Sequence, residues 1–83
     1  DHVPLAAPKG SEETARLFFG GILGMEEIPK PSNLVQRGGV WFQCGHHQLH
    51  IGLQDHFQAA KKAHPAFLVQ SLSELKKVLL TYH

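Results

Sequence analysis

Seven histidines occur in this chain of 83 residues, and three of them occupy positions from which imidazoles could act together. His2 begins a short apolar segment, His50 lies in a run of alternating polar and apolar residues, and His64 begins a second segment of the same form as the first. Neutral imidazoles that converge on a cleft suit divalent transition metals, and three protein ligands with an open position are typical of a catalytic metal site. A single strand histidine is more often only hydrogen-bonded or half-exposed, so the metal hypothesis depends on the elements that position the three. The remaining histidines fall in turns, a connector and a terminus, and we assign them no function. They are His46, His47, His56 and His83.

Residues 38–52, GGVWFQCGHHQLHIG, are predicted to form a β-hairpin with a two-residue turn at positions 45 and 46 or at positions 46 and 47. The first turn places Trp41 opposite His50, and the second shifts the partners by two but leaves each residue on the same face. The opposite face is apolar and suits a helix-covered core; it comprises Val40, Phe42, Cys44, Leu49, Ile51 and Leu53. The polar face is predicted to be the floor of a pocket, with Trp41, Gln43 and Gln54 contacting a ligand.

The rest of the chain divides into elements that recur. Residues 2–8 predict a strand, and a helix with the apolar stripe Ala15, Phe18, Phe19 and Ile22 follows Ser11. Residues 25–28 predict another strand. A strand over 64–69 and a helix capped at Ser71 repeat the opening pattern, which predicts a duplicated unit. The predicted buried layers comprise Phe18, Phe19, Ile22, Leu49, Ile51, Phe67, Leu75 and Leu79.

The repeat is incomplete, and this predicts how the chain is organised. We expect a single α+β domain over 1–83, with a βαβββ module at 1–53, a connector at 54–63 and the βα start of a second module at 64–83. Two to three further strands would be needed to complete the second module, so we expect a fragment whose sheet ends in an unpaired edge. A homodimer would cover that edge. In an exchanged dimer, His2 and His50 of one chain could meet His64 of the other.

Composition excludes several classes of function. The chain has 8 lysine and arginine residues against 7 acidic residues. The basic residues are mostly scattered along the sequence, so they do not predict the basic patch that binds nucleic acid. The single Cys44 excludes an internal disulfide and is predicted to be a small buried hydrophobe. No 18-residue apolar run or signal peptide occurs in the sequence, so the expectation is a soluble, cytoplasmic protein without membrane contact.

Four motifs in order make the sequence resemble the vicinal oxygen chelate superfamily: DHVPLAA, ETARLFFGGILGMEEI, GGVWFQCGHHQLHIG and AHPAFLVQSLSEL. That superfamily groups glyoxalase I, methylmalonyl-CoA epimerase, extradiol dioxygenases, and fosfomycin- and bleomycin-resistance proteins. The resemblance covers the whole chain and implies a cupped mixed sheet of paired βαβββ modules, with helices on the outer face and metal in the cup. His2 matches the first-strand ligand, His50 the fourth-strand position and His64 the ligand that opens the second module. The family's remaining ligand, a glutamate on the last strand of the second module, has no counterpart here.

The resemblance implies a glyoxalase-like protein that holds a divalent metal (Zn²⁺, Ni²⁺, Fe²⁺, Co²⁺ or Mn²⁺) and acts on a small molecule with adjacent oxygens. The chemistry would be of the isomerase, lyase or dioxygenase type, with the exact reaction and the catalytic residues open. A metal-independent binding or antibiotic-resistance module that sequesters its ligand is the alternative. Trp41 would then matter more than the histidines, although it could equally be an aromatic that only covers the sheet.

Overall fold

A computed structural model describes residues 1–82, whose core element is a four-stranded mixed sheet. The strands are β1 (His2–Pro8), β2 (Glu26–Ile28), β3 (Val40–Cys44) and β4 (His47–Gln54), in the spatial order β1-β4-β3-β2. Strand β1 runs parallel to β4, while β3 is antiparallel to both of its neighbours. The helical segments are α1 (Glu12–Ala15), a π-helical continuation at Arg16–Ile22, a 3-10 helix at Ser32–Arg37 and α2 (Leu72–Thr81). This order confirms the predicted α+β class and the βαβββ module. No helix within 1–82 has the length and hydropathy needed to cross a membrane.

The hairpin has the first of the two registers predicted from its alternation. Trp41 pairs with His50 and Phe42 pairs with Leu49, so the turn contains two residues. Gly45 adopts a positive φ of 58° in that turn, a conformation that glycine takes without steric cost. The register therefore fixes a buried apolar face and a polar face that is open to solvent.

Strand β1 forms one edge of the sheet. The Gln48 amide donates to the Asp1 carbonyl at 3.1 Å, and in a parallel ladder the odd-numbered residues of β1 then bond to β4. Pro4 consequently has its nitrogen toward the open edge, where a missing N–H removes no ladder bond. An edge is one of the few positions in a sheet at which a proline is tolerated.

The core lies between the apolar face of the sheet and the first helical segment. Its buried residues are Ala15, Val40, Phe42, Leu49 and Ile51, with Phe19 and Met25 packed against them. The predicted burial of Phe18 is wrong, since 40% of this residue is exposed. The cause is the π-helical backbone, in which Leu23 N–H donates to the Phe18 carbonyl at 2.9 Å. Each such turn takes more residues than an α-helical turn, so the stripe at i, i+3 and i+4 no longer returns to one face.

The second predicted unit forms only in part. Helix α2 begins as predicted, with Ser71 Oγ accepting a hydrogen bond from Glu74 N–H at 3.2 Å. The predicted strand over 64–69 is wrong, because no β-ladder includes these residues in the described chain. They lie instead beside the end of the hairpin, where Pro65 and Phe67 face Val3 and Leu49 across a cavity of about 150 Å³. Without a paired strand to hold it, Phe67 is 36% exposed, which corrects its predicted burial.

Gly39 allows β3 to approach β4, and its replacement should be costly. A Cβ at this position would lie 2.2 Å from the Ile51 carbonyl oxygen, and φ is 87°. Gly10 has nearly the same φ of 83° but has no atom within 4 Å of its Cβ position, so it is a matched control. We expect Gly10→Ala to lower the free energy of unfolding by about 1 kcal/mol, and Gly39→Ala by about 3 kcal/mol or more, because only the latter also forces backbone apart. Urea denaturation measures both values; equal losses would contradict the close approach.

Candidate functional site

Three aromatic rings stack in a row on the polar face of the sheet. The Trp41 and His50 ring centroids are 3.6 Å apart with an interplanar angle of 3°, and the His50 and His2 centroids are 4.2 Å apart with an angle of 9°. Because β4 lies between β3 and β1, His50 has Trp41 on one side and His2 on the other. The parallel pairing of β1 with β4 thus brings two of the predicted metal ligands together within one chain.

His50 is the most enclosed imidazole of this row. Its Nε2 atom is hydrogen-bonded to Gln48 Oε1 at 2.9 Å, and the residue is half-buried between its two stacking partners. Burial lowers the pKa of His50, and the nearby positive charges of His2, Lys30 and the amino terminus lower it further. His50 is therefore biased toward the neutral imidazole, which is the form that binds metals.

His64 lies apart from this pair in the sequence and on the surface. Its side chain is exposed, and Nδ1 lies 2.7 Å from the Lys62 carbonyl oxygen. Because a carbonyl oxygen only accepts, Nδ1 is the donor of this hydrogen bond, and in a neutral ring Nε2 would then carry the lone pair. Within residues 1–82, no three His, Cys, Asp or Glu side chains come close enough together to hold a metal ion. The structure brings together His2 and His50, and it does not add His64 of the same chain to them.

The predicted ligand-contacting residues have different surroundings. Trp41 is half-buried on the polar face, in contact with His50. The Gln43 amide nitrogen donates to the Gly45 carbonyl at 2.7 Å and to the His47 carbonyl at 3.1 Å, so this side chain fastens the hairpin turn. Gln54 is exposed at the end of β4. Of the three, Trp41 is the residue that the structure places beside the histidine pair.

Sequence reasoning missed Lys30 and Arg37, which border the polar face beyond Trp41. Both line a depression of about 230 Å³ together with Trp41 and Gly52. Lys30 Nζ donates to the Gly38 carbonyl, which holds the ammonium group beside the start of β3. No local pattern in the sequence indicates this placement, which follows from the pairing of Ile28 with Trp41 in the folded sheet.

The lowered pKa of His50 predicts a pH dependence of stability in the metal-free protein. As the pH falls below the ordinary value of 6.5, the unfolded chain takes up a proton at this position before the folded chain does. The free energy of unfolding should therefore decrease between pH 6.5 and the lowered pKa, and His50→Gln should remove this contribution. Chemical denaturation at a series of pH values measures it, with the exposed turn residue replaced in His46→Gln as the control. An unchanged slope in His50→Gln would contradict the assignment.

Comparison with solved structures finds a relative of this chain. The chain superposes with a TM-score of 0.94 on a crystal structure from Bacillus anthracis that is described as a glyoxalase family protein. The two sequences are 54% identical, and the alignment covers 99% of this chain and 67% of that chain. No family model matches the sequence. No curated protein matches it either.

Proposed function

Since this chain belongs to the glyoxalase family of the vicinal oxygen chelate superfamily, we propose that it holds a divalent transition metal and binds a small molecule with two adjacent oxygens. The observation that carries the proposal is the pairing of His2 with His50 on an open polar face beside Trp41. His2, His50 and His64 are the proposed ligands, and Trp41 is the proposed wall against which the ligand packs.

The histidine pair fits a metal after one change of side-chain orientation. Imidazole lone pairs lie in the ring plane, and zinc–nitrogen bonds are about 2.0 to 2.1 Å long. Two nearly parallel rings with centroids 4.2 Å apart therefore cannot both point at one ion. His2 is exposed near the end of β1, whereas His50 is held by Trp41 and Gln48, so His2 is the ring that turns.

His64 is proposed as the third ligand, supplied by a second copy of the chain. Its Nδ1 proton is engaged by the Lys62 carbonyl, which leaves Nε2 available. Histidines that bind metals usually donate their other ring proton to a carbonyl or carboxylate in this way. A homodimer would contain two such shared sites, each with two ligands from one chain and one from the other.

A divalent ion held by these residues supplies Lewis-acid stabilisation of negative charge that develops on adjacent substrate oxygens. The protein's own groups determine what can approach. The indole of Trp41 closes one side of His50, so the ligand enters from the solvent side of the stack. Neutral His50 adds no positive charge of its own, and its hydrogen bond to Gln48 fixes the ring. Isomerase, lyase and dioxygenase chemistry are all compatible with this arrangement.

Titration of the metal-free protein with Co²⁺ tests this proposal, because Co²⁺ bound to imidazole nitrogen has a visible spectrum that reports coordination. We expect saturation at one ion per chain, accompanied by a dimer in sedimentation. A stable monomer that binds one ion per chain would overturn the shared site. Failure to saturate with any of the transition metals named above would overturn metal binding.

Metal-independent ligand binding is the second candidate function. It is favoured by one observation, namely that the described part of a single chain assembles no three-ligand group. In that case Trp41 and the open stack would bind the ligand directly. Quenching of Trp41 fluorescence by ligand without added metal, with no metal saturation, distinguishes this function from the first.

A further inference from the structure

We propose that the depression formed by Lys30, Arg37 and Trp41 binds an oxyanion, the carboxylate or phosphate end of the ligand that this face accepts. The proposal deepens the proposed function by naming a substrate class, so it rests on that function for its biological meaning. The binding of the anion itself does not require a metal.

The residues that line this depression carry only positive charge, although Glu12 and Glu27 line an adjoining cavity that shares Lys30 and Trp41. Lys30 and Arg37 line the depression, and none of its lining residues within the described chain is acidic. Neither cation has a carboxylate oxygen within 4 Å among residues 1–82, whereas Arg16 is paired with both Glu13 and Glu27. An arginine guanidinium presents a planar fork of donors that matches carboxylate and phosphate oxygens.

The side chain of Lys30 is held in place, whereas an ordinary surface lysine extends freely into solvent. It is half-buried, and its ammonium group donates to the Gly38 carbonyl. The neighbouring carboxylate, Glu12, accepts instead from the Gly39 N–H at 3.2 Å, and this hydrogen bond is the main cause of its lowered pKa. The carbonyl contact occupies one of the three ammonium protons, so Lys30 retains two hydrogen-bond donors for a ligand.

The position of the depression also limits the length of the ligand. Gly52, which lines the depression, follows His50 by two residues on β4 and therefore lies on the same face of the sheet. Residues two apart on a strand are separated by about 6 to 7 Å, which sets the approximate distance between the anion position and His50. A ligand would therefore carry its anionic group a few bonds away from its adjacent oxygens, and it would lie beside the Trp41 ring.

Fluorescence of Trp41, the single tryptophan, tests the proposal directly because this residue lines the depression. Metal-free protein is titrated with inorganic phosphate, with acetate and with the uncharged acetamide, all at constant ionic strength. We expect saturable quenching by at least one of the two anions, with dissociation constants on the order of 1 mM, and none by acetamide. The stronger of the two anions distinguishes a phosphate from a carboxylate end.

Variants locate the binding. Lys30→Met and Arg37→Gln should each weaken the anion about tenfold or more, whereas Lys61→Met, which alters an exposed lysine of the connector, should leave it unchanged. Lys30→Met also removes the hydrogen bond to the Gly38 carbonyl and could perturb the fold. Arg37→Gln does not affect that bond, so it tests anion binding independently. Equal quenching by acetamide, equal weakening in Lys61→Met, or no saturation by either anion would overturn the proposal. A metal titration of Lys30→Met distinguishes a failure of anion binding from a failure of the proposed metal binding. This variant should still bind metal, because Lys30 is not a proposed metal ligand.

Discussion

Replacing His2 or His64 with alanine is expected to weaken binding of a divalent transition metal by at least about 100-fold. Each change removes one of three imidazole ligands from the proposed site, and in both cases alanine leaves no donor in its place. Isothermal titration of metal-free protein with Zn²⁺ measures the effect. Circular dichroism of each variant shows whether the fold is retained, which is expected because both side chains are exposed.

The matched controls are His46→Ala and His47→Ala. Both residues are exposed at the hairpin turn and are the histidines closest in sequence to His50. The two control variants should bind metal as tightly as the unmodified chain does. A loss as large as that of His2→Ala would contradict the ligand assignment and indicate nonspecific binding to exposed imidazoles.

Phe42→Ala is expected to lower the free energy of unfolding by about 3 to 5 kcal/mol. Phe42 is fully buried at the centre of β3, and its ring packs against Phe19 with centroids 5.8 Å apart. A chain of 83 residues has a total stability of about 4 to 12 kcal/mol, so the variant should be largely unfolded at moderate temperature. Thermal and urea unfolding followed by circular dichroism provide the measurement.

Phe18→Ala is the control for this change, because it deletes the same side chain from a residue that is 40% exposed. Its expected loss is about 1 to 2 kcal/mol, from partial burial and the edge-to-face contact with Phe19 at 5.0 Å. A loss in Phe18→Ala as large as that in Phe42→Ala would mean that the core is centred on the helix stripe rather than on β3.

The two faces of the hairpin could be predicted from the sequence because alternation along β3 and β4 is local information. Alternation alone allows a turn at positions 45 and 46 or at 46 and 47, and the structure has the first, which pairs Trp41 with His50. That the nitrogen of Pro4 makes no ladder bond could be predicted for the same reason, since it depends on one missing N–H.

The parts that could not be predicted depend on contacts between distant segments. The spacing of Ala15, Phe18 and Phe19 indicates an α-helix, but the backbone becomes π-helical over Arg16–Ile22, which contains Gly20 and Gly21. Glycine weakens an ordinary helix, yet nothing in the residue spacing specifies which alternative hydrogen bonds replace it. The error in the burial of Phe18 follows from this.

The arrangement of side chains around the candidate site depends on strand pairing, which local pattern does not specify. The approach of His2 to His50 arises from the parallel pairing of β1 with β4, whereas the repeat alone indicated that a second module was needed to bring histidines together. Strand β2 has only three residues, so the placement of Lys30 beside Trp41 could not be derived from local pattern. Gln43 was predicted to face a ligand, but its amide has nearer partners in the turn.

Mixing two single variants tests the shared site most directly. A His2→Ala chain and a His64→Ala chain should each fail to bind metal tightly as homodimers, because every shared site then lacks one ligand. After subunit exchange, a mixed dimer combines His2 and His50 of one chain with His64 of the other and regains one complete site. Tight binding of one Zn²⁺ ion per mixed dimer is the predicted result. Absence of any recovery, although native mass spectrometry with one chain isotopically labelled shows that mixed dimers form, would contradict the account.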